Sequence, residues 1–302
     1  MPDMSVELAK VRLKNPVMVA SGTFGSGQEF AGFIDLNRLG AVVTKGVASV
    51  PWPGNPTPRI CETPSGMLNA IGLQNPGVET FRSRDLKFLE GFDTKVVVNV
   101  CGHSISEYVD CVEKLADSKR VDLLEINISC PNVKEGGIAF GTDPRGVEEI
   151  TAAIKKAARQ PVIMKLSPNV TDIAEIAKAA EAGGAAWLAM SNTITGMKID
   201  VRRRTYALAN RTGGLSGPAI HPVAVRMVWQ CAHAVKIPII GMGGITDAES
   251  ALEMIMAGAS AVSVGTASFR DQTTAIRVID GIESYQEENH IASVRELIGC
   301  VK

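Results

Sequence analysis

"IIGMGGITDAESALEMIMAGASAVSVGT" (239–266) repeats the plan of "MKLSPNVTDIAEIAKAAEAGGAAWLAMS" (164–191). Each begins as an apolar run, passes Thr-Asp, continues as an amphipathic stretch, turns at Ala-Gly and re-enters an apolar run. Thr246 and Glu249 have capping-box spacing, which predicts a helix starting there. Leu252, Ile255 and Met256 then form an i, i+3, i+4 stripe for one buried face. Gly183 and Gly258 stand where a helix C-cap releases the chain into the next strand. Strand, helix and strand in this order describe a parallel βαβ unit.

Working outward, eight apolar runs read as strands: 17–21, 41–45, 96–100, 123–129, 162–167, 185–191, 237–242 and 261–266. Near-continuous apolar strands indicate a sheet buried on both faces. Eight of them, separated by helical patterns, predict a closed (β/α)8 TIM barrel over a single domain, 1–302. Residues 6–16 are expected to form a short N-terminal hairpin closing the barrel bottom. Long loops follow strands two, four and six, notably 47–77 and 192–217. Loops of this length are usually functional, and these lie on the face where barrel active sites sit.

The bulk chemistry removes several classes. Basic and acidic residues number 31 and 32, a net charge of −1, so there is no electrostatic footprint for nucleic acid. No apolar run approaches the roughly 18 residues of a membrane span, and "MPDMSVELAK" has no signal-peptide core, so a cytoplasmic protein with no membrane partner is expected. The six cysteines are scattered without a C-x-x-C pair, which predicts free thiols and no metal site. The four histidines show no ligand spacing and are read as structural or surface residues.

At the C-terminal strand ends the residue types change. They gather Ser21, Lys45, Asn99, Asn127, Cys130, Lys165, Ser191, Asn192, Gly243, Gly244, Gly265 and Thr266. Each has a bland reading: a lysine snorkelling at the rim, an asparagine bonding backbone. Cys130 in "EINISCPN" (125–132), taken alone, reads more readily as a small buried hydrophobe. Two lysines inside apolar strands are costly unless partnered, and with the asparagines they point to a preorganised polar site. The glycines of "GMGGITD" and "SVGTASF" offer bare backbone N–H groups to a phosphate after strands seven and eight. No G-x-G-x-x-G follows a strand, so a Rossmann dinucleotide site is not expected.

Together, "NISCPN", "VVTKG", "MLNAIGLQNPG", "KLSP", "SNT" and "GMGGI…VGTA" resemble dihydroorotate dehydrogenases of class 1, from about Asn15 to Phe269. "IGLQNPGVE" and "SCPNVKEGGIAFG" look most like the type B catalytic subunit. The resemblance implies an FMN-containing barrel, one FMN per chain, that oxidises dihydroorotate to orotate in pyrimidine synthesis. It implies Cys130 as the base at C5, Lys165 beside the flavin, and Lys45 between flavin and substrate. It implies substrate contacts from Lys45, Asn69, Ala70, Ile71, Gly72, Leu73, Asn127, Asn132, Asn192 and Thr193. Flavin contacts follow at Ser21, Lys45, Gly46, Asn99, Asn127, Lys165, Ser191, Gly217, Gly243, Gly244, Gly265 and Thr266. Type B implies NAD⁺ as acceptor through a partner subunit carrying FAD and a [2Fe–2S] cluster, in a heterotetramer of two catalytic and two electron-transfer subunits. "VKEGGIAFG" (133–141) is expected to act as a lid hinged at Gly136-Gly137. The alternatives are a fumarate-linked type A enzyme, a dihydropyrimidine dehydrogenase-like flavin barrel, a flavin-free Schiff-base barrel using Lys165, and a silent phosphate-binding barrel.

Overall fold

The computed structural model describes residues 2–129 and 140–301. Its centre is a closed barrel of eight parallel strands. They are β1 (Val17–Val19), β2 (Ala41–Val43), β3 (Lys95–Val100), β4 (Leu123–Asn127), β5 (Val162–Lys165), β6 (Trp187–Met190), β7 (Ile239–Met242) and β8 (Ala261–Val264). Each pairs with the next in sequence, and β8 pairs with β1 to close the ring. Apart from a half-buried Lys95, every residue in these strands is buried, which is what their apolar composition requires when helices cover the outside.

The covering helices include α1 (Ile105–Leu115), α2 (Pro144–Ala157), α3 (Ile173–Ala182), α4 (His221–Ala234), α5 (Ala248–Met256) and α6 (Thr274–Glu288). The cap of α5 lies one residue later than the sequence spacing predicts. Asp247, not Thr246, accepts from the Ser250 amide at 2.9 Å, and Ser250 Oγ accepts from the Asp247 amide at 3.2 Å. A carboxylate two bonds from the backbone reaches the orphan amide, and Ser250 supplies the reciprocal half that Glu249 was expected to give. Ala251, Leu252, Met254 and Ile255 are buried, whereas Met256 is only partly so. After α3 and α5, the positive-φ exits are Gly184 and Gly258.

The N-terminal hairpin pairs Val6–Leu8 with Val11–Leu13 and sends Val6 and Leu13 into the core at the end where β1 begins. The insertions after β2 and β6 are not merely long loops. Ile60–Thr63 and Gly66–Asn69 from the first join Ile194–Met197 and Thr212–Ser216 from the second in one four-stranded antiparallel sheet. Their sequences, "ICET", "GMLN", "ITGM" and "TGGLS", lack the alternation that marks a half-buried strand, so the sheet is invisible to a periodicity reading. Leu68, Ala70 and Leu208 form its own small core. Among the described residues, no helix is long and apolar enough to cross a membrane.

Candidate active site

Strand register builds the polar centre. Asn99 on β3 lies beside Glu125 on β4, and Asn127 on β4 lies beside Lys165 on β5. Glu125 and Asn127 are two apart, so their side chains leave the same face of β4. The four residues therefore form one polar patch, and all four are buried. Asn99 Nδ2 donates to Glu125 Oε1 at 2.6 Å, and Lys165 Nζ reaches the same oxygen at 3.4 Å. Lys165 Nζ also lies 3.5 Å from Ser21 Oγ, just past the end of β1.

Glu125 was not among the sequence candidates. A glutamate inside an apolar strand, in phase with Asn127, was the signal for it. The barrel strands also end earlier than the sequence indicated, before Ser21, Lys45, Ser191, Gly265 and Thr266. These residues sit just beyond the C-terminal ends of their strands.

Lys45 is half-buried next to this patch. Burial pulls its ammonium below the ordinary lysine range; the charges of Arg59 and Lys165 act the same way, against an opposing pull from Cys101. Gly46 follows it, and a Cβ there would lie 2.9 Å from Asn99 Oδ1 and 3.9 Å from Leu73 Cδ2. A cavity of about 420 Å³ is lined by Lys45 and Gly46 together with Gln28, Arg84 and Asp85.

The substrate candidates converge from three elements. Asn192 Nδ2 donates to Asn127 Oδ1 at 3.3 Å, and the Asn127 carbonyl accepts from the buried Tyr108 hydroxyl at 2.6 Å. Asn69 Nδ2 reaches the Gly214 carbonyl at 3.4 Å across the insertion sheet. A Cβ on Gly214 would fall 1.9 Å from Thr193 Oγ1, so Thr193 packs directly on that bare backbone. Ala70 and Ile71 are held through their carbonyls by Asn55, at 3.0 Å each. Gly72 and Leu73 both take positive φ, and the Leu73 carbonyl accepts from Asn75 at 2.8 Å.

The glycine candidates form a second cluster. Gly217, Gly243 and Gly244 have φ of 98°, 126° and 72°. A Cβ on Gly244 would meet His221 Cβ at 2.7 Å and the Gly217 carbonyl at 2.9 Å. His221 Nδ1 donates to the Gly243 carbonyl at 2.8 Å, so this histidine shapes the cluster from outside. Thr266 Oγ1 donates to Ser216 Oγ at 2.8 Å, which brings the end of β8 to the residue before Gly217. A methyl at Gly265 would meet nothing nearer than Ala20 Cβ at 3.6 Å, so packing does not demand glycine there. Ser191, with its amide donating to the Met242 carbonyl at 3.0 Å, lies between the two clusters.

These residues fit a phosphorylated flavin. Asn99 Oδ1 is buried with no hydrogen-bond partner among the described residues, and it faces the bare Gly46. Gly217, Gly243 and Gly244 present side-chain-free backbone of the kind a phosphate can approach, and Lys165 stands buried at the end of β5. Cys130, Asn132 and most of the expected lid, including Gly136-Gly137, lie outside the described residues. Ser129, the last described residue before them, donates its amide to Asn127 Oδ1 at 3.3 Å and its hydroxyl to the Lys165 carbonyl at 3.1 Å. Among the described residues there is no cluster of three metal-ligating groups.

Comparison with known proteins covers nearly the whole chain. The family model for dihydroorotate dehydrogenase matches residues 3–285. The chain is 65% identical over 298 residues to a Lachnoclostridium phytofermentans protein named dihydroorotate dehydrogenase B (NAD(+)), catalytic subunit, with 99% of each chain covered. Proteins of the same name from Alkaliphilus oremlandii and Geotalea uraniireducens are 58% and 55% identical, with 98% or more of each chain covered. The chain belongs to the dihydroorotate dehydrogenase family.

Proposed function

We propose that this chain is the catalytic subunit of an NAD⁺-linked dihydroorotate dehydrogenase, oxidising dihydroorotate to orotate in pyrimidine (UMP) synthesis. The observation that carries the reading is the buried patch of Asn99, Glu125, Asn127 and Lys165, joined to Asn192 at the barrel mouth. The relatives' names favour NAD⁺ over the fumarate-linked alternative.

The family is flavin-dependent, and the flavin assigned here is FMN, one per chain. When bound it supplies the acceptor for the hydride leaving C6 of dihydroorotate. Gly217, Gly243, Gly244, Gly265 and Thr266 are assigned to its phosphate. Ser21, Gly46, Asn99, Asn127, Lys165 and Ser191 are assigned to the rest, with Lys45 shared between flavin and substrate. Lys165 supplies a fixed cation where negative charge develops, and it needs no reorganisation to do so.

Cys130 is the proposed base at C5. A free thiol has a pKa of about 8.5, so a few per cent is thiolate at neutral pH, and a lysine charge beside a thiol raises that share. Asn69, Asn127, Asn132, Asn192 and Thr193 are assigned to the pyrimidine edge, because amides offer both donors and acceptors to a ring that presents both. Ala70 to Leu73 complete that wall, and Lys45 pairs with the orotate carboxylate. The segment 133–141 is assigned the role of a water-excluding lid.

The chain has neither a Rossmann fingerprint nor a cysteine cluster, so delivery to NAD⁺ calls for a partner. We assign that partner FAD and a [2Fe–2S] cluster, in a heterotetramer of two subunits of each kind. Free cysteines at 61, 111, 231 and 300 suit a reducing compartment, and we place the enzyme in the cytoplasm. Purifying the chain alone and with a co-expressed FAD/iron–sulfur subunit tests the assignment. Dihydroorotate-dependent NAD⁺ reduction is expected only in the second case; fumarate turnover by the chain alone would refute the NAD⁺ link.

A further inference from the structure

Glu125 is fully buried, and no role above falls to it. Its Oε1 takes two donors, Asn99 Nδ2 at 2.6 Å and Lys165 Nζ at 3.4 Å. Its Oε2 has no hydrogen-bond partner among the described residues. Stability does not account for such a group. Burying a carboxylate costs several kcal/mol, and replacing a buried ion pair with packed apolar side chains is often neutral or stabilising.

What the carboxylate does is local and directional. A carboxylate beside an ammonium accepts and does not donate, so the nitrogen end of the Asn99 amide must face it. The carbonyl end, Asn99 Oδ1, is thereby turned to the bare Cα of Gly46, where a Cβ would sit 2.9 Å away. Glu125 Oε1 also takes Lys165 Nζ at 3.4 Å, and the lysine's second contact, Ser21 Oγ, lies at 3.5 Å. Lys165 also stands near enough to Lys45 for its charge to weigh on the Lys45 ammonium. Without Glu125 the two cations would face each other with one anchor fewer.

We propose that Glu125 is a positioning residue of the flavin site, holding the Lys165 ammonium and the Asn99 carbonyl oxygen toward the cofactor at the same time. This rests on the flavin reading given under Proposed function. The role predicts an effect on the flavin itself and not only on turnover. Glu125→Gln keeps the shape and an acceptor for Asn99, but it removes the charge that anchors Lys165. The reduced flavin then loses its fixed cation.

The test is the midpoint potential of FMN bound to the purified chain, which reads the preference of the site for reduced over oxidised flavin. Glu125→Gln is expected to lower that preference about tenfold, a fall of about 30 mV for a two-electron couple. Glu125→Asp keeps the charge, the flexible lysine follows it, and the potential returns to within about threefold of wild type in the same preference. If Glu125→Gln does not fold, Glu125→Leu takes its place with the same expected fall. A potential that is unchanged or raised in these variants overturns the proposal, as does an Asp variant that behaves like Gln. A wild-type chain that binds no FMN would defeat the flavin reading itself; wild type that binds FMN with unshifted variants defeats only the role of Glu125.

Discussion

Asn192 Nδ2 donates to Asn127 Oδ1 across 3.3 Å, tying the loop after β6 to the end of β4. The same Asn127 oxygen accepts from the Ser129 amide at 3.3 Å, at the edge of the segment that carries Cys130. One amide thus sits where three site elements meet, and its backbone carbonyl is clamped by Tyr108.

Asn192→Ala should therefore act on substrate use more than on folding. Losing one or two polar contacts to a buried ligand costs about 1.5–3 kcal/mol. The expected result is a fall in kcat/KM for dihydroorotate of about tenfold to a hundredfold, with flavin content unchanged. Steady-state kinetics and the flavin-to-protein absorbance ratio check both halves.

Gly244→Ala should empty the phosphate end of the flavin site. The residue has φ of 72°, and a Cβ would meet backbone and side-chain atoms at 2.7–2.9 Å. Most of the flavin is expected to be lost on gel filtration.

The thiols predict a pH effect on stability. Burial pushes Cys111 and Cys231 up to about 12, against an ordinary value of 9.0. Between these values the unfolded chain has released protons that the folded chain still holds, so stability falls as pH rises. The contribution is fully present below about pH 9 and is lost progressively toward pH 12. For each thiol this amounts to about 4 kcal/mol as an order of magnitude. Urea unfolding at pH 8, 9 and 10 should show the decline, and Cys111→Ala should roughly halve it.

Leu208→Ala removes a buried side chain from the small core shared by Leu68 and Ala70. Such truncations cost about 2–5 kcal/mol. Because this core belongs to the insertion sheet and not to the barrel, the loss should be local. Hydrogen exchange is expected to speed up at 194–197 and 212–216 while the barrel strands stay protected.

The barrel was legible because buried parallel strands need near-continuous apolar runs, and runs such as "VVVNV" and "LLEIN" supply them. The lysines and asparagines stood out by contrast with that background. The insertion sheet was hidden because glycine carries no side chain to mark a face, and "TGGLS" reads as a loop. Glu125 was passed over because it lies within a run that was read as core, although its two-residue phase with Asn127 marks it. His221 reads as structural in the sequence, and its bond to the Gly243 carbonyl places that structural role against the glycine cluster.

The central claim is that this barrel removes two electrons from dihydroorotate onto its own flavin. The most direct measurement is anaerobic titration of the purified, FMN-loaded chain with dihydroorotate, followed by flavin absorbance. Full bleaching is expected at about one equivalent, strongly slowed by Cys130→Ala. A flavin that stays oxidised, or that bleaches equally well with dihydrouracil, would contradict it.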